Sequence, residues 1–264
     1  MKKYSSGRNR SDGWKHGKNS GHLNERMVVE YYLQLNENSD VEVSGMKKVE
    51  SIMGKKTTPK PDIRANDNGT IKNYSLKKSL NGQVHMNKVS IFINGYEKIF
   101  ENIPLDVKNG LSYVFGGNLN VCSVLNDERY IHSDEKIRET ELRRKTLCLD
   151  TLKKYNIEIY NDMMKWIKDN ISNIAEIVFK RGWVVSKDNF ADVIWYKNLV
   201  DDGQNVDKMF NIDDVIEKCG NHKDKVTPGT KNGGTTINLP FGHLQYHQGG
   251  LQFHHSYEKI SSLF

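Results

Sequence analysis

The sequence predicts an α/β fold: a mixed β-sheet core flanked by helices, with a β-rich C-terminal element. Three observations predict it. Residues 60–79, KPDIRANDNGTIKNYSLKKS, read as two strands joined by a turn. Residues 134–179 repeat apolar side chains at helical spacing. From Thr227 onward Gly, Thr, Asn, Gln and His dominate, and apolar and polar positions alternate.

The turn in the first stretch is the cluster Asn66-Asp67-Asn68-Gly69, which tolerates the left-handed backbone angles of a tight hairpin. A strand from Thr70 to Ser79 follows, with Ile71, Tyr74 and Leu76 among polar residues. Earlier, Asn24 to Leu35 puts Met27, Val28, Tyr31, Tyr32 and Leu35 on one helical face, and residues 40–45 form a short strand. Residues 80–87 read equally as a plain connection or as a contact segment offering Gln83 and His85. Residues 87–100 alternate as a strand turning at Asn94-Gly95.

In the helical region, Leu149, Leu152, Ile157, Met163, Ile167, Ile171, Ile174 and Ile177 mark the apolar face. Tyr155-Asn156 breaks it in two, and Gly182 ends it. A buried strand over 191–200 and a short helix over 211–220 follow. The helix is capped by Asn211 or Asp213, with Gly220 past its end. In the tail, Thr235 to Leu239, His243 to His247 and Leu251 to His255 form antiparallel strands with one polar face.

The 264 residues suit a single domain, with a basic arm over 1–20, a core over 21–200 and a tail element over 201–264. No apolar run approaches the ~20 residues of a membrane span. The basic N-terminus has no apolar stretch behind it, so a cytoplasmic location is expected. Cys122, Cys148 and Cys219 show neither metal spacing nor a disulfide framework, and read as reduced structural thiols. The net charge of +6 biases the chain toward polyanions. There is no glycine-rich loop ending in Lys-Ser or Lys-Thr to support nucleotide hydrolysis. Residues 114–123 hold a cysteine without a base beside it. His243, His247, His254 and His255 lack the compact ligand set of a zinc site.

The hairpin carries the chemistry. Asp62 and Lys77 fall on adjacent strands, where a carboxylate and an ammonium meet at one sheet end. Mg²⁺ takes oxygen ligands and keeps several waters, so the Asp62 carboxylate and the Leu76 carbonyl suffice as protein donors. Lys77 would orient or deprotonate an attacking water, or offset charge on a phosphate. Ser75 shares its face, because strand side chains alternate with period two.

Pro61-Asp62 followed on the next strand by Ser75-Leu76-Lys77 resembles the PD-(D/E)XK nuclease motif of type II restriction endonucleases. Ser75 departs from it, standing where the family usually has a second acid. The segment KHGKNSGHLNE also resembles the opening of some restriction enzymes. The resemblance implies a restriction-endonuclease-like domain that cuts double-stranded DNA at a short site with Mg²⁺. It implies Asp62, Ser75 and Lys77 as catalytic residues, and a glutamate of the first helix beside the metal. Glu25 resembles that residue, and Glu30 competes for the place. A homodimer on a palindromic site and a cognate DNA methyltransferase are the implied partners.

Asn and Gln pair with adenine edges, and Lys and Arg with guanine edges, in the major groove. The tail therefore offers Lys231, Asn232, Thr235, Thr236, Gln245 and His247 as DNA contacts, with Gln83 and His85 next to the catalytic strand. Two other functions fit the same residues: sequence-specific DNA binding without catalysis, and a structure-selective nuclease.

Overall fold

The computed structural model describes residues 10–36, 39–44, 47–116, 148–200, 206–229, 234–247 and 250–264, with the backbone alone for 10–20. It is an α/β architecture built on two five-stranded sheets.

The first sheet contains β1 (Ser39–Val43), β4 (Ile63–Asp67), β5 (Thr70–Lys77), β7 (Val193–Tyr196) and β8 (Lys208–Asn211), in the order β1-β4-β5-β7-β8. β5 and β7 run parallel and the other pairs antiparallel, so the sheet is mixed. The predicted hairpin joins β4 to β5. Asn68 and Gly69 take φ of 52° and 90°, the two left-handed angles of a tight turn that matches the strand twist. The Gly69 amide donates to Asn66 Oδ1 at 2.9 Å. Two short strands, β2 (Val49–Glu50) and β3 (Lys56–Thr57), pair separately.

Helix α1 (Arg10–Leu35) covers one face of this sheet and begins well before the expected Asn24. Val28 and Tyr32 pack there with Ile63, Ala65, Tyr74, Leu76, Val193 and Trp195 in one apolar cluster. At ~1.5–3 kcal/mol per fully buried side chain, this contact fixes the register of the hairpin. Ser75 and Lys77, of opposite parity to Tyr74 and Leu76, are thereby directed to the other face.

The second sheet is antiparallel throughout and contains β6 (Asn81–Lys88), β9 (Thr227–Pro228), β10 (Thr236–Leu239), β11 (Gly242–His247) and β12 (Gly250–Ser256). Its order is β6-β12-β11-β10-β9. The helices α2 (Val89–Ile99), α3 (Leu105–Leu111), α4 (Leu149–Tyr155), α5 (Ile157–Asp169) and α6 (Ile171–Ala175) share a large apolar core with it, including Phe92, Tyr96, Met163, Phe179, Leu244 and Phe253. α6 runs into a wider π turn over Glu176–Arg181, ended by Gly182 at φ 55°. The break before α5 falls at Asn156, whose side chain accepts from the Ile159 amide. Helix α7 (Ile212–Asn221) is capped by Asn211, and Gly220 lies inside it rather than beyond it. Helix α8 (Tyr257–Ser261) closes the chain.

Two expectations fail. Residues 87–100 form helix α2 after the end of β6, not a strand. Val89, Phe92, Ile93 and Tyr96 are the buried positions, at helical spacing. Gly95 is not a turn residue: a Cβ there would come 2.5 Å from the Trp183 ring, so the glycine makes room for that indole. Residues 80–87 are not a bare connection but enter strand β6, paired along its length with β12. The chain thus passes between the two sheets: β6 leaves the hairpin region for the C-terminal sheet, and β7 returns to the first beside β5. Cys148 and Cys219 are free and buried. No described helix is long and apolar enough to cross a membrane.

Candidate active site

Asp62 stands just before β4, held by its own backbone. Its amide donates to the Tyr74 carbonyl at 2.8 Å, and its carbonyl accepts from the Ser44 amide at 2.9 Å. The preceding Pro61 carbonyl accepts from Ser44 Oγ at 2.8 Å. Asp62 Oδ2 accepts from the Leu76 amide at 2.7 Å and lies 3.4 Å from Ser75 Oγ. Oδ1 has no hydrogen-bond partner among the described residues. Lys77 Nζ donates to Ser75 Oγ at 2.7 Å and to the Leu76 carbonyl at 3.0 Å. The carboxylate, hydroxyl, carbonyl and ammonium anticipated from the sequence therefore converge at one end of the first sheet.

Glu25, on α1, is near enough for its charge to act on Asp62 and Lys77. Asn24, fully buried beside it, donates to the Lys197 carbonyl at 2.9 Å and accepts from the Leu199 amide at 2.8 Å, which pins the helix to the segment after β7. Glu25 Oε2 lies 3.1 Å from His22 Nδ1. Burial lifts the Glu25 carboxyl above its ordinary range. The His22 hydrogen bond opposes the lift, and the nearby Asp62 charge adds to it. Glu30, the competing acid, points to solvent.

Burial also lowers Lys77, while Asp62 and Glu25 pull it back up. A second lysine that the motif does not include, Lys60, is lowered to about 7, by burial first and then by the Lys77 charge. Asp62, Lys60 and Lys77 line a cavity of about 340 Å³ with Arg181 and Trp183.

Two carboxylates that repel one another, a free carboxylate oxygen and a backbone carbonyl suit a hard divalent ion that keeps several waters. The Lys77 ammonium already rests on the Leu76 carbonyl, so a cation is accommodated among these donors. No group of three or more His, Cys, Asp or Glu suited to a metal occurs among the described residues, which leaves this smaller oxygen set.

The proposed DNA contacts divide. Gln83 lines the cavity mouth and accepts from Gln252 Nε2 at 2.6 Å. Gln245 donates to Gln252 Oε1 at 2.7 Å and lies 3.0 Å from His254 Nε2. The His254 ring stacks on His243 at 4.5 Å. These side chains make a connected amide and imidazole array across β6, β12 and β11. His247 is exposed at the end of β11, and Thr235 is half-buried ahead of β10. Thr236 is buried, with Gly229 against it. His85 is a wall of the cavity, edge-on to Trp183 and 2.6 Å from Asn87 Nδ2, and burial lowers it to about 3. Lys231, Asn232, the basic segment 1–9 and the start of the region 134–179 lie outside the described residues.

Sequence reasoning missed Lys60, Arg181, Trp183 and Gln252. Lys60 immediately precedes Pro61, the first residue of the motif. Gln252 had a visible signal in the alternation of LQFHH, and Arg181 and Trp183, distant in sequence, had none.

No protein-family model matches the sequence, and no curated protein matches it. Among solved structures, the chain is similar to the restriction endonuclease MspI in complex with its cognate DNA. The identity is 14% and the TM-score 0.42, over 87% of this chain and 77% of that one.

Proposed function

We propose that this chain is a Mg²⁺-dependent endonuclease that hydrolyses double-stranded DNA at a short site, in the manner of type II restriction endonucleases. One observation carries the reading. Asp62, Ser75, the Leu76 carbonyl and Lys77 are joined by hydrogen bonds of 2.7–3.4 Å in a cavity wall, with the Glu25 charge facing them from α1.

Asp62 and the Leu76 carbonyl, with Glu25, would hold the ion, which supplies charge for a nonbridging phosphate oxygen and acidifies a bound water. The Leu76 amide orients the Asp62 carboxylate. Ser75, in the position of the usual second acid, holds the Lys77 ammonium and presents it toward the substrate phosphate. There Lys77 orients the attacking water or offsets the negative charge that develops on phosphorus oxygens. The neutral array from Gln83 to His254 begins at the mouth of the same cavity, which supports base reading close to the cut. A palindromic target would be met by two copies of the chain, and a host carrying such an enzyme in its cytoplasm needs a methyltransferase of the same specificity.

The test is incubation of purified protein with plasmid and Mg²⁺. Discrete fragments with a common terminal sequence are expected. Retarded but intact plasmid would favour the second reading, a DNA-binding protein whose catalytic set ends at Ser75. Cleavage confined to branched DNA would favour a structure-selective nuclease.

A further inference from the structure

The cavity holds more positive charge than the Asp62 and Lys77 pair needs. Lys60, Lys77 and Arg181 line it against the single carboxylate of Asp62. Lys77 is engaged by Ser75 and Leu76. The Lys60 ammonium makes no hydrogen bond or ion pair with a described residue.

The backbone fixes Lys60 in place. Its amide donates to the Asn189 carbonyl at 3.1 Å, and a Cβ on Gly182 would sit 3.9 Å from its Cδ, so the aliphatic stem lies along that glycine. Arg181, the neighbour of Gly182, is equally constrained. Its guanidinium stands 5.0 Å over the Phe190 ring and its Nη1 is 3.5 Å from Glu176 Oε1. Its Nε is nevertheless buried without a hydrogen-bond partner among the described residues. A buried donor without a partner is costly, and so is a cation whose nearest carboxylate is shared with a second ammonium. At about 340 Å³ the cavity is some ten times the ~30 Å³ share of one water.

We propose that Lys60 and Arg181 form a second anion seat in this cavity, which takes a backbone phosphate next to the phosphodiester held at Asp62 and Lys77. The proposal rests on the reading of the cavity as a polynucleotide site. It adds a positioning device to that site: one strand is held at two successive phosphates, so its direction through the cavity is set before chemistry.

Each phosphate neutralised by a side chain adds about 0.9 to the slope of log affinity against log salt. The experiment measures binding of a 30-base-pair duplex in EDTA over a range of salt for the wild type, Lys60→Met, Lys60→Arg and Arg181→Met, with Lys165→Met as a remote control. Lys60→Met is expected to lower the slope by about 0.9 and to weaken binding about eightfold at 0.1 M salt. Lys60→Arg and Lys165→Met should match the wild type. An unchanged slope in Lys60→Met, or no duplex binding by the wild type, overturns the seat. Arg181→Met is expected to lower the slope in the same way; if loss of the Phe190 and Glu176 contacts unfolds it, the Lys60 variants decide alone. Because cleavage is not required, a wild type that binds with this slope but fails to cut plasmid in Mg²⁺ would sink the nuclease reading and leave the seat standing.

Discussion

The end of the first sheet and the outer face of the second solve opposite problems with polar side chains. At the first, charged groups are crowded together: Asp62, Lys77 and Lys60 line one cavity, Glu25 acts on Asp62 and Lys77 from α1, and burial shifts Glu25, Lys60 and Lys77. Along the second, Gln83, Gln252, Gln245 and His254 are amides and an imidazole linked by hydrogen bonds, and the His243 ring stacks on His254. Charge in a concave, partly dry site has large effects on a reacting phosphate and little power to tell one base from another. A chain of neutral donors and acceptors has the reverse properties. The lesson is a division of labour: loss of function should follow perturbation of the first region, and loss of selectivity should follow perturbation of the second.

The strongest way to break that division is to remove a charge. Asp62→Asn and Lys77→Ala should each reduce plasmid cleavage on the order of 10²–10³-fold or more while duplex binding in EDTA persists. Full cleavage by Lys77→Ala would take Lys77 out of the chemistry. The second region is tested by Gln252→Leu, which deletes the central link of the array. Its expected signature is relaxed discrimination of about 1–3 kcal/mol at one base position, with little change in rate at the best site. Sequencing the termini of digested DNA reads this directly, and an unchanged terminal consensus would refute base reading through the array.

Gly95 sharpens the comparison by disturbing the wall between the two regions. Gly95→Ala would press on Trp183, which lines the cavity beside His85 and donates to Asn87 Oδ1 at 3.1 Å. A loss of roughly 1–3 kcal/mol in urea unfolding is expected; an unaltered midpoint would mean the indole moves freely.

A further effect is one of pH. Burial lowers His85 and His255 to about 3 and His254 to about 4, below the unfolded value of 6.5. The folded state therefore binds fewer protons than the unfolded chain. The stability is fully present above pH 6.5 and is lost as pH falls from there toward 3–4, at up to ~1.4 kcal/mol per pH unit for a group as buried as His255. Urea midpoints at pH 7.5 and 5.5 should differ in that direction, and equal midpoints would show that these rings protonate without cost.

Much of the first region was legible because its signals are local. The Asn68-Gly69 turn, the parity of Asp62, Ser75 and Lys77, and the Asn156 break are each set by neighbours in sequence. Helix α2 was misread because Val89, Ile91 and Ile93 alternate and Asn94-Gly95 imitates a hairpin turn. The deciding contact is with Trp183, nearly ninety positions away. Strand β6 hid for a related reason: Val84 and Met86 are its only apolar residues, too few to show an alternation, and only the pairing with β12 makes it a strand. Lys60 and Arg181 were invisible together because nothing in the chain announces that the segment before β4 and the end of the π turn face one cavity.

The passage from β5 to β6 has a mechanical result. Lys77 ends the strand of the charged site, Gln83 sits on the strand of the neutral face, and only residues 78–80 separate the two strands. So short a span acts as a ruler. On the proposed function, the offset between the cut bond and the nearest recognised base would be set by this span, so exchanging side chains along the array is expected to change the site read without moving the cut. One residue inserted at 78–80 would shift the cut instead.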